Sequence, residues 1–312
     1  MDWFPGLMKP GVIFVRIAAI DLGSNSFRMI IADCNDGKRK VLVSDIVTTR
    51  LGEGVDENAV IAPTALKRSE AALAGFTEKI VNLGVDKVIV AGTSALREVK
   101  NSGKVVNLVR EKLAVELTIL SGEEEAQLIY RGVKSDFPEG EIIIFDVGGG
   151  STEIIEKSSF LSLELGAVRM MERYLNTPES PLKASELIEL KKAVREILDL
   201  HLSPAVEFET IVGVGGTVTT LVAVKLGLNE YIPERIHGQK LDLKSLNRII
   251  RRLASMSIVR RRNISGLPED RADIIVPGAV IVGEIMDFYS CRTLTVSDRG
   301  LLFGLLDVAA VE

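Results

Sequence analysis

The feature that most constrains this chain is a pair of short polar turns, each led by an aspartate and set between apolar runs. The first lies in IAAIDLGSNSFRMIIADC (17–34), where Asp21-Leu22-Gly23-Ser24-Asn25-Ser26 separates two strand-like stretches and Arg28 follows at once. The second lies in EIIIFDVGGGSTEIIE (141–156), where Asp146 and Glu153 bracket Gly148, Gly149, Gly150, Ser151 and Thr152. Apolar runs joined by such turns read as β-hairpins. Small residues let backbone N–H groups point into a concavity that binds phosphate, and Ser and Thr hydroxyls add donors. An aspartate there repels phosphate unless a cation lies between them, so the motif implies Mg²⁺ or another divalent cation. Gly213-Val214-Gly215-Gly216-Thr217 is a third glycine cluster, at a strand-to-helix junction. One glycine-rich turn alone is equally a structural turn; recurrence at matching places carries the signal.

The rest of the chain follows the same plan twice. VIFVRIAAID, RMIIADC and KVLVSDIVTTR read as three strands. A helix is predicted over 63–82 with Pro63 in its first turn, then a strand at 87–92, a helix over 94–114 and a strand at 116–120. SGEEEAQLIYRGV opens another helix, with Ser121 as its N-cap. The strand–turn–strand pattern then restarts at 141, SFLSLEL supplies a third strand, and a long helix is expected around 184–203. TIVGVGG reads as the next strand and TVTTLVAVKLG as the helix after it. Two halves with one plan, facing each other, would bring both turns to one cleft.

Composition narrows the classes. A formal net charge of −5 over 312 residues argues against general nucleic-acid binding. Cys34 and Cys291 cannot build a disulfide framework or a four-cysteine zinc site. No uncharged apolar run reaches a membrane-spanning length, and MDWFPGLMKPGVIFVR lacks a signal-peptide layout. A cytoplasmic protein is expected, with no membrane partner.

DLGSNS, AGTSALREVKN, LSGEEEAQLIYRGV, FDVGGGSTEI and VGVGGTVTTL together resemble the exopolyphosphatase and guanosine pentaphosphate phosphatase family, within the actin, sugar-kinase and chaperone-ATPase superfamily. The resemblance runs from about Ala18 to Gly304. It implies an α/β fold of two ribonuclease-H-like domains flanking a central cleft. Residues 1–126 with 299–312 would form domain I, and 127–298 domain II. Many relatives carry a further C-terminal helical region; this chain resembles the short two-domain form. Polyphosphate, guanosine pentaphosphate or tetraphosphate are the implied partners, and a homodimer is left open.

The resemblance also assigns roles. In the pattern Ser-Gly-x-Glu-Glu-Ala the second glutamate of the pair is the base, here Glu125, with Glu124 as the alternative. Without that context, Glu123, Glu124 and Glu125 are simply acids complementing a helix N-terminus. Asp146 and Glu153 would hold the metal, and Asp21 would reach it through water. Gly23, Ser24, Asn25, Ser26, Thr93, Ser94, Gly148, Gly149, Gly150, Ser151, Thr152, Gly215, Gly216 and Thr217 would line the phosphate. Arg28 and Arg97 would take phosphate oxygens bidentately, Arg97 in a catalytic role. Arg248, Arg251, Arg252, Arg260, Arg261, Arg262 and Arg271 form the densest basic stretch. It reads either as a solvated face or as a track for a long polyanion, with Arg271 among the phosphate ligands. His201 and His237 are too few and too separated for a histidine metal site. A small-molecule kinase, an actin-like or chaperone ATPase and a non-catalytic alarmone-binding protein are the rival readings; the Glu125 motif favours a hydrolase.

Overall fold

The computed structural model describes residues 14–35, 37–137, 141–157, 159–175, 180–203 and 208–311. Strands β1 (Val15–Leu22), β2 (Ser26–Asn35) and β3 (Lys38–Thr48) form an antiparallel meander. On the other side of β1 lie β4 (Lys87–Gly92) and β5 (Leu117–Ile119), both parallel to it, giving the order β3-β2-β1-β4-β5. β1 is central and covered on both faces. Its alternate residues therefore enter two different cores. Ile20 and Leu22 pack with Leu73 and Phe76 of the Pro63–Asn82 helix and with Val105 and Val109 of the Gly103–Leu113 helix. Ile17 and Ala19 face the opposite way.

The second sheet repeats the plan. β6 (Ile142–Val147), β7 (Thr152–Glu156) and β8 (Ser159–Leu163) form the meander. β9 (Thr210–Val214) runs parallel to β6, and β10 (Lys240–Asp242) and β11 (Thr293–Val296) complete the order β10-β11-β9-β6-β7-β8. Phe145 and Val147 pack with the Ala184–His201, Gly215–Leu226 and Ile275–Phe288 helices. Ile142 and Ile144 turn to the other face.

That other face is shared between the sheets. Helices Gly122–Lys134 and Leu301–Ala309 put Ala126, Ile129, Leu301 and Leu305 into one core with Ile17 of β1 and Ile144 of β6. The two helices cross almost backbone to backbone. A Cβ on Gly132 would lie 2.2 Å from the Gly300 carbonyl oxygen, and one on Gly304 would lie 2.0 Å from that of Leu128. No larger residue fits either point without displacing backbone. The boundary expected at 126/127 falls inside the Gly122–Lys134 helix, which packs on β7, β8 and the C-terminal helix.

The helix expected over 94–114 is two helices, Ser94–Glu98 and Gly103–Leu113. Val99 turns extended, at φ −100° and ψ 145°. Tertiary bonds then hold the break open. Lys100 N–H donates to Ala59 O at 3.0 Å. Ile61 N–H donates to Asn101 Oδ1 at 2.9 Å, and Asn101 Nδ2 returns a bond to Ile61 O at 3.1 Å. Among the described residues no helix is long and apolar enough to cross a membrane.

Candidate active site

Parallel strands β1, β4, β6 and β9 all end at the same cleft, where ligands bind in open α/β sheets. A cavity of ≈ 60 Å³ lies there, lined by both aspartate-led loops, Thr93, Ser94, Gly216, Thr217, Glu125, Arg28 and Arg271. Such a space holds on the order of four waters, which leaves room for a phosphoryl group. The amide N–H groups of Ser24, Asn25, Gly149 and Gly150, in the loops that line it, donate to no other described part of the chain. Loop donors left unpaired in this way form a concavity able to accept an anion.

In the first loop the acid is already balanced. The β1–β2 register sets Asp21 opposite Arg28. Arg28 donates from Nε at 3.0 Å and from Nη2 at 2.6 Å, both to Asp21 Oδ2. Burial works against the Arg28 charge, but Asp21, Asp146 and Glu125 outweigh it and raise its pKa. Asp21 Oδ1 is buried and has no hydrogen-bond partner among the described residues.

The second loop differs. The β6–β7 register sets Asp146 opposite another acid, Glu153. Both are buried. Asp146 makes no hydrogen bond or ion pair among the described residues, and burial pushes its carboxyl up to about 6. Burial and then Asp146 push Glu153 upward too, against a bond of 2.7 Å from the Ser162 hydroxyl. Gly215, at φ +82°, makes room for this arrangement: a Cβ there would lie 1.9 Å from Asp146 Oδ1.

Glu125 reaches the cavity from the first turn of the Gly122–Lys134 helix and is 7% exposed. Burial, then the neighbouring Glu153, raises its pKa well above the carboxylate range, while Arg97 opposes the shift. Arg97 Nη1 donates to Glu125 Oε2 at 2.6 Å and to Leu120 O at 3.1 Å. Arg271 comes from the single 3₁₀ turn Glu269–Arg271, its Nη2 at 3.5 Å from Ser26 Oγ. The guanidinium lies over Gly216, where a Cβ would approach Nη2 to 2.4 Å.

Several predicted site residues stand elsewhere. Glu124 is exposed and closes a capping box. Its Oε2 accepts from Ser121 N–H at 2.8 Å, while its own N–H donates to Ser121 Oγ at 3.2 Å. Successive helix residues face different ways, so cap and cavity take one glutamate each. Arg97 lies behind Glu125 rather than lining the cavity. The Thr152 hydroxyl donates to Leu165 O, and the Thr217 hydroxyl donates to Val147 O at 2.9 Å. Gly215 and Thr152 support the lining without joining it. Arg261, read as part of a surface track, is fully buried and donates to Leu253 O at 2.8 Å and Ala272 O at 3.2 Å. Arg271 is in the cavity, so the basic stretch is not one face. His237 Nδ1 accepts from Asp298 N–H at 3.3 Å, a loop brace.

The expected metal ligands do not form a ready-made cage. Among the described residues no group of three or more Asp, Glu, His or Cys converges as a metal site. Asp21 spends one oxygen on Arg28. What remains is Asp146, Glu153 and the unpartnered Asp21 Oδ1, all hard oxygen donors at the cavity. That set fits a cation held by one or two carboxylates and otherwise by water and phosphate, as Mg²⁺ prefers. Ser162 was not foreseen. It touches Glu153 and lies 3.5 Å from Arg97 Nη2. Only the β7–β8 register, which sets Glu153 opposite Ser162, could have identified it.

Two ribonuclease-H-like domains that close glycine-rich loops over one phosphate-sized cavity, with a buried glutamate at its edge, define a phosphate-handling protein of the actin-like class. The chain belongs to the Ppx/GppA phosphatase family, whose profile matches residues 30–310. It is 32% identical over 311 residues to exopolyphosphatase 2 of Mycobacterium tuberculosis, covering 93% of this chain and 97% of that protein. It is 29% identical to the guanosine-5'-triphosphate,3'-diphosphate pyrophosphatase of Vibrio cholerae, covering 96% of this chain and 60% of that one. The crystal structure of an exopolyphosphatase from Cytophaga hutchinsonii matches with a TM-score of 0.84 at 26% identity, covering 95% of this chain and 98% of that one.

Proposed function

We propose that this protein releases terminal phosphate from inorganic polyphosphate, from guanosine pentaphosphate, or from both, using a water activated by Glu125. The observation that carries the reading is Glu125 itself: buried at the cavity edge, oriented by Arg97 and facing the loops. A base works best with a pKa near the working pH, and burial moves Glu125 in that direction. The terminal phosphoryl group sits among the loop amides, with Arg28 and Arg271 on its oxygens. Glu125 takes a proton from the water as its oxygen bonds to phosphorus and the bridging P–O bond breaks. Asp146 and Glu153, with Asp21 Oδ1 nearby, would hold a divalent cation. Bound by those acids, it would supply neutralisation of the charge on the transferring phosphoryl group.

The cavity has room for a terminal phosphoryl group, and in this reading the rest of either substrate extends outward from it. A cytoplasmic site of action is part of the same reading. The test is phosphate release from both substrates by the parent protein and by Glu125→Gln. Turnover should fall by roughly 10²-fold or more in the variant while substrate binding survives. Near-normal turnover in Glu125→Gln would remove the glutamate from this role.

A further inference from the structure

The Ala167–Tyr174 helix follows β8 and begins against the second phosphate loop. Its first N–H groups grip that loop's carbonyls. Ala167 N–H donates to Gly148 O at 2.9 Å, and Val168 and Arg169 N–H donate to Gly149 O at 2.8 and 3.2 Å. The next carbonyl, Gly150 O, takes the Arg169 side chain, from Nε at 2.8 Å. A trans peptide points its C=O and N–H in opposite directions. Pinning the carbonyls of Gly148, Gly149 and Gly150 to this helix therefore turns the amides of Gly149, Gly150 and Ser151 away from it.

Arg169 is 5% exposed, and its other donors leave its own domain. Nη2 donates to Glu98 Oε1 at 2.7 Å and Oε2 at 2.6 Å, and Nη1 donates to Asp56 Oδ1. Arg173, one helical turn on, takes the same Asp56 at 2.5 and 2.6 Å. Gly54 N–H donates to Glu172 Oε1 at 3.0 Å. Glu98 Oε1 also accepts the hydroxyl of Ser94, a cavity residue, at 2.7 Å. One guanidinium thus links a carbonyl of the second loop to a carboxylate that holds the first domain's side of the cavity.

We propose that Arg169 is a positioning residue: it sets the Gly150–Ser151 peptide for phosphate, and it does so only while Asp56 and Glu98 of the closed first domain hold its fork. Nothing in the hydrolytic step requires Arg169, which lies outside the cavity. When the domains part, its charge loses both carboxylates and turns to water. Closure and loop alignment then rise and fall together, so an anion that needs the aligned loop favours closure to the same degree. A buried arginine deprived of one carboxylate is strongly disfavoured, which makes the link sensitive to a single change.

The inference rests on the phosphate-releasing reading above, and its test separates the two. Spin labels at Lys104→Cys and Lys192→Cys, one exposed position in each domain, report the interdomain distance; Cys34 and Cys291 are buried. The titrant is inorganic phosphate, with no turnover involved. In the parent protein phosphate should shorten the distance, and no shortening would overturn the proposal. In Arg169→Met the same shortening should require about 10-fold more phosphate, within the usual range for coupled sites. Glu98→Gln should show a smaller shift in the same direction, and Arg169→Lys, which keeps charge but loses the fork, should lie between. With substrate, the Michaelis constant should rise in parallel while kcat stays within about threefold. Should Arg169→Met fail to fold, Glu98→Gln carries the test, since it removes only a charge. Parent-like phosphate response in both variants, or a loss of kcat at unchanged Michaelis constant, would overturn the proposal. If neither substrate is hydrolysed yet the phosphate responses differ as stated, the positioning role stands and the hydrolase reading fails.

Discussion

The two aspartate-led hairpins share a backbone plan and differ in what stands opposite the aspartate. Across β1–β2, Asp21 meets Arg28; across β6–β7, Asp146 meets Glu153. The first loop's acid is balanced by its own arginine, which donates from Nε and Nη2 to Asp21 Oδ2. The second is a buried pair of acids with no counter-charge of its own. Low dielectric makes such a pair hold a proton or attract a cation. The difference teaches that one loop's acid is balanced within the fold, while the other's acids are left without an ion-pair partner among the described residues.

The sharpest break in this comparison comes from removing each aspartate. Asp146→Asn should lower turnover by about 10²-fold and raise the Mg²⁺ concentration needed, because a hard ion loses an anionic ligand. Asp21→Asn should cost on the order of 10-fold, since Arg28 remains to meet phosphate. Equal losses in steady-state kinetics would erase the asymmetry. Next in size is Arg28→Lys. A point charge replaces a fork that spans Asp21 and phosphate, so the Michaelis constant should rise about 10-fold with a smaller change in kcat. An unchanged Michaelis constant would confine Arg28 to holding Asp21. Smallest is Glu124→Ala. Loss of the capping box should cost about 1 kcal/mol, seen as a lower melting temperature, with turnover unaltered. A large activity loss there would reopen the choice between Glu124 and Glu125.

Much of this was legible in the sequence. The doubled hairpin plan and the glycine clusters follow from hydrophobic runs and turn chemistry, whereas the split of Ile17 and Ile20 of β1 between two cores does not show in the uniformly apolar run. Periodicity alone does not tell neighbouring Glu124 and Glu125 apart; the resemblance put Glu125 first, and the structure places Glu124 in the capping box and Glu125 against Arg97. Nor does periodicity give the destination of a long cationic side chain. Arg97, Arg261 and Arg271 look alike as letters, yet one holds Glu125, one braces a loop from within and one enters the cavity. The break after Glu98 was hidden because Asn101 is recruited by Ile61, in the segment between the Val55–Asn58 and Pro63–Asn82 helices, 40 residues away. In each case a tertiary partner, absent from the local pattern, decides the outcome.

Near pH 6 the second loop's acids hold protons when the site is empty, and a bound cation would displace them. Asp146 titrates at about 6 in the folded chain, against about 3.9 for an ordinary aspartate. Its contribution to stability is therefore full below the unfolded value and is lost as pH rises through about 6. Cation binding replaces the proton, so Mg²⁺ affinity should rise with pH over that window. Titration calorimetry of Mg²⁺ at pH 6, in two buffers of different ionisation enthalpy, counts the protons released. The account predicts release of on the order of one proton per Mg²⁺ at pH 6, little at pH 8, and a clear reduction in Asp146→Asn. Heats that do not depend on the buffer at pH 6, or the same release in Asp146→Asn, would contradict it.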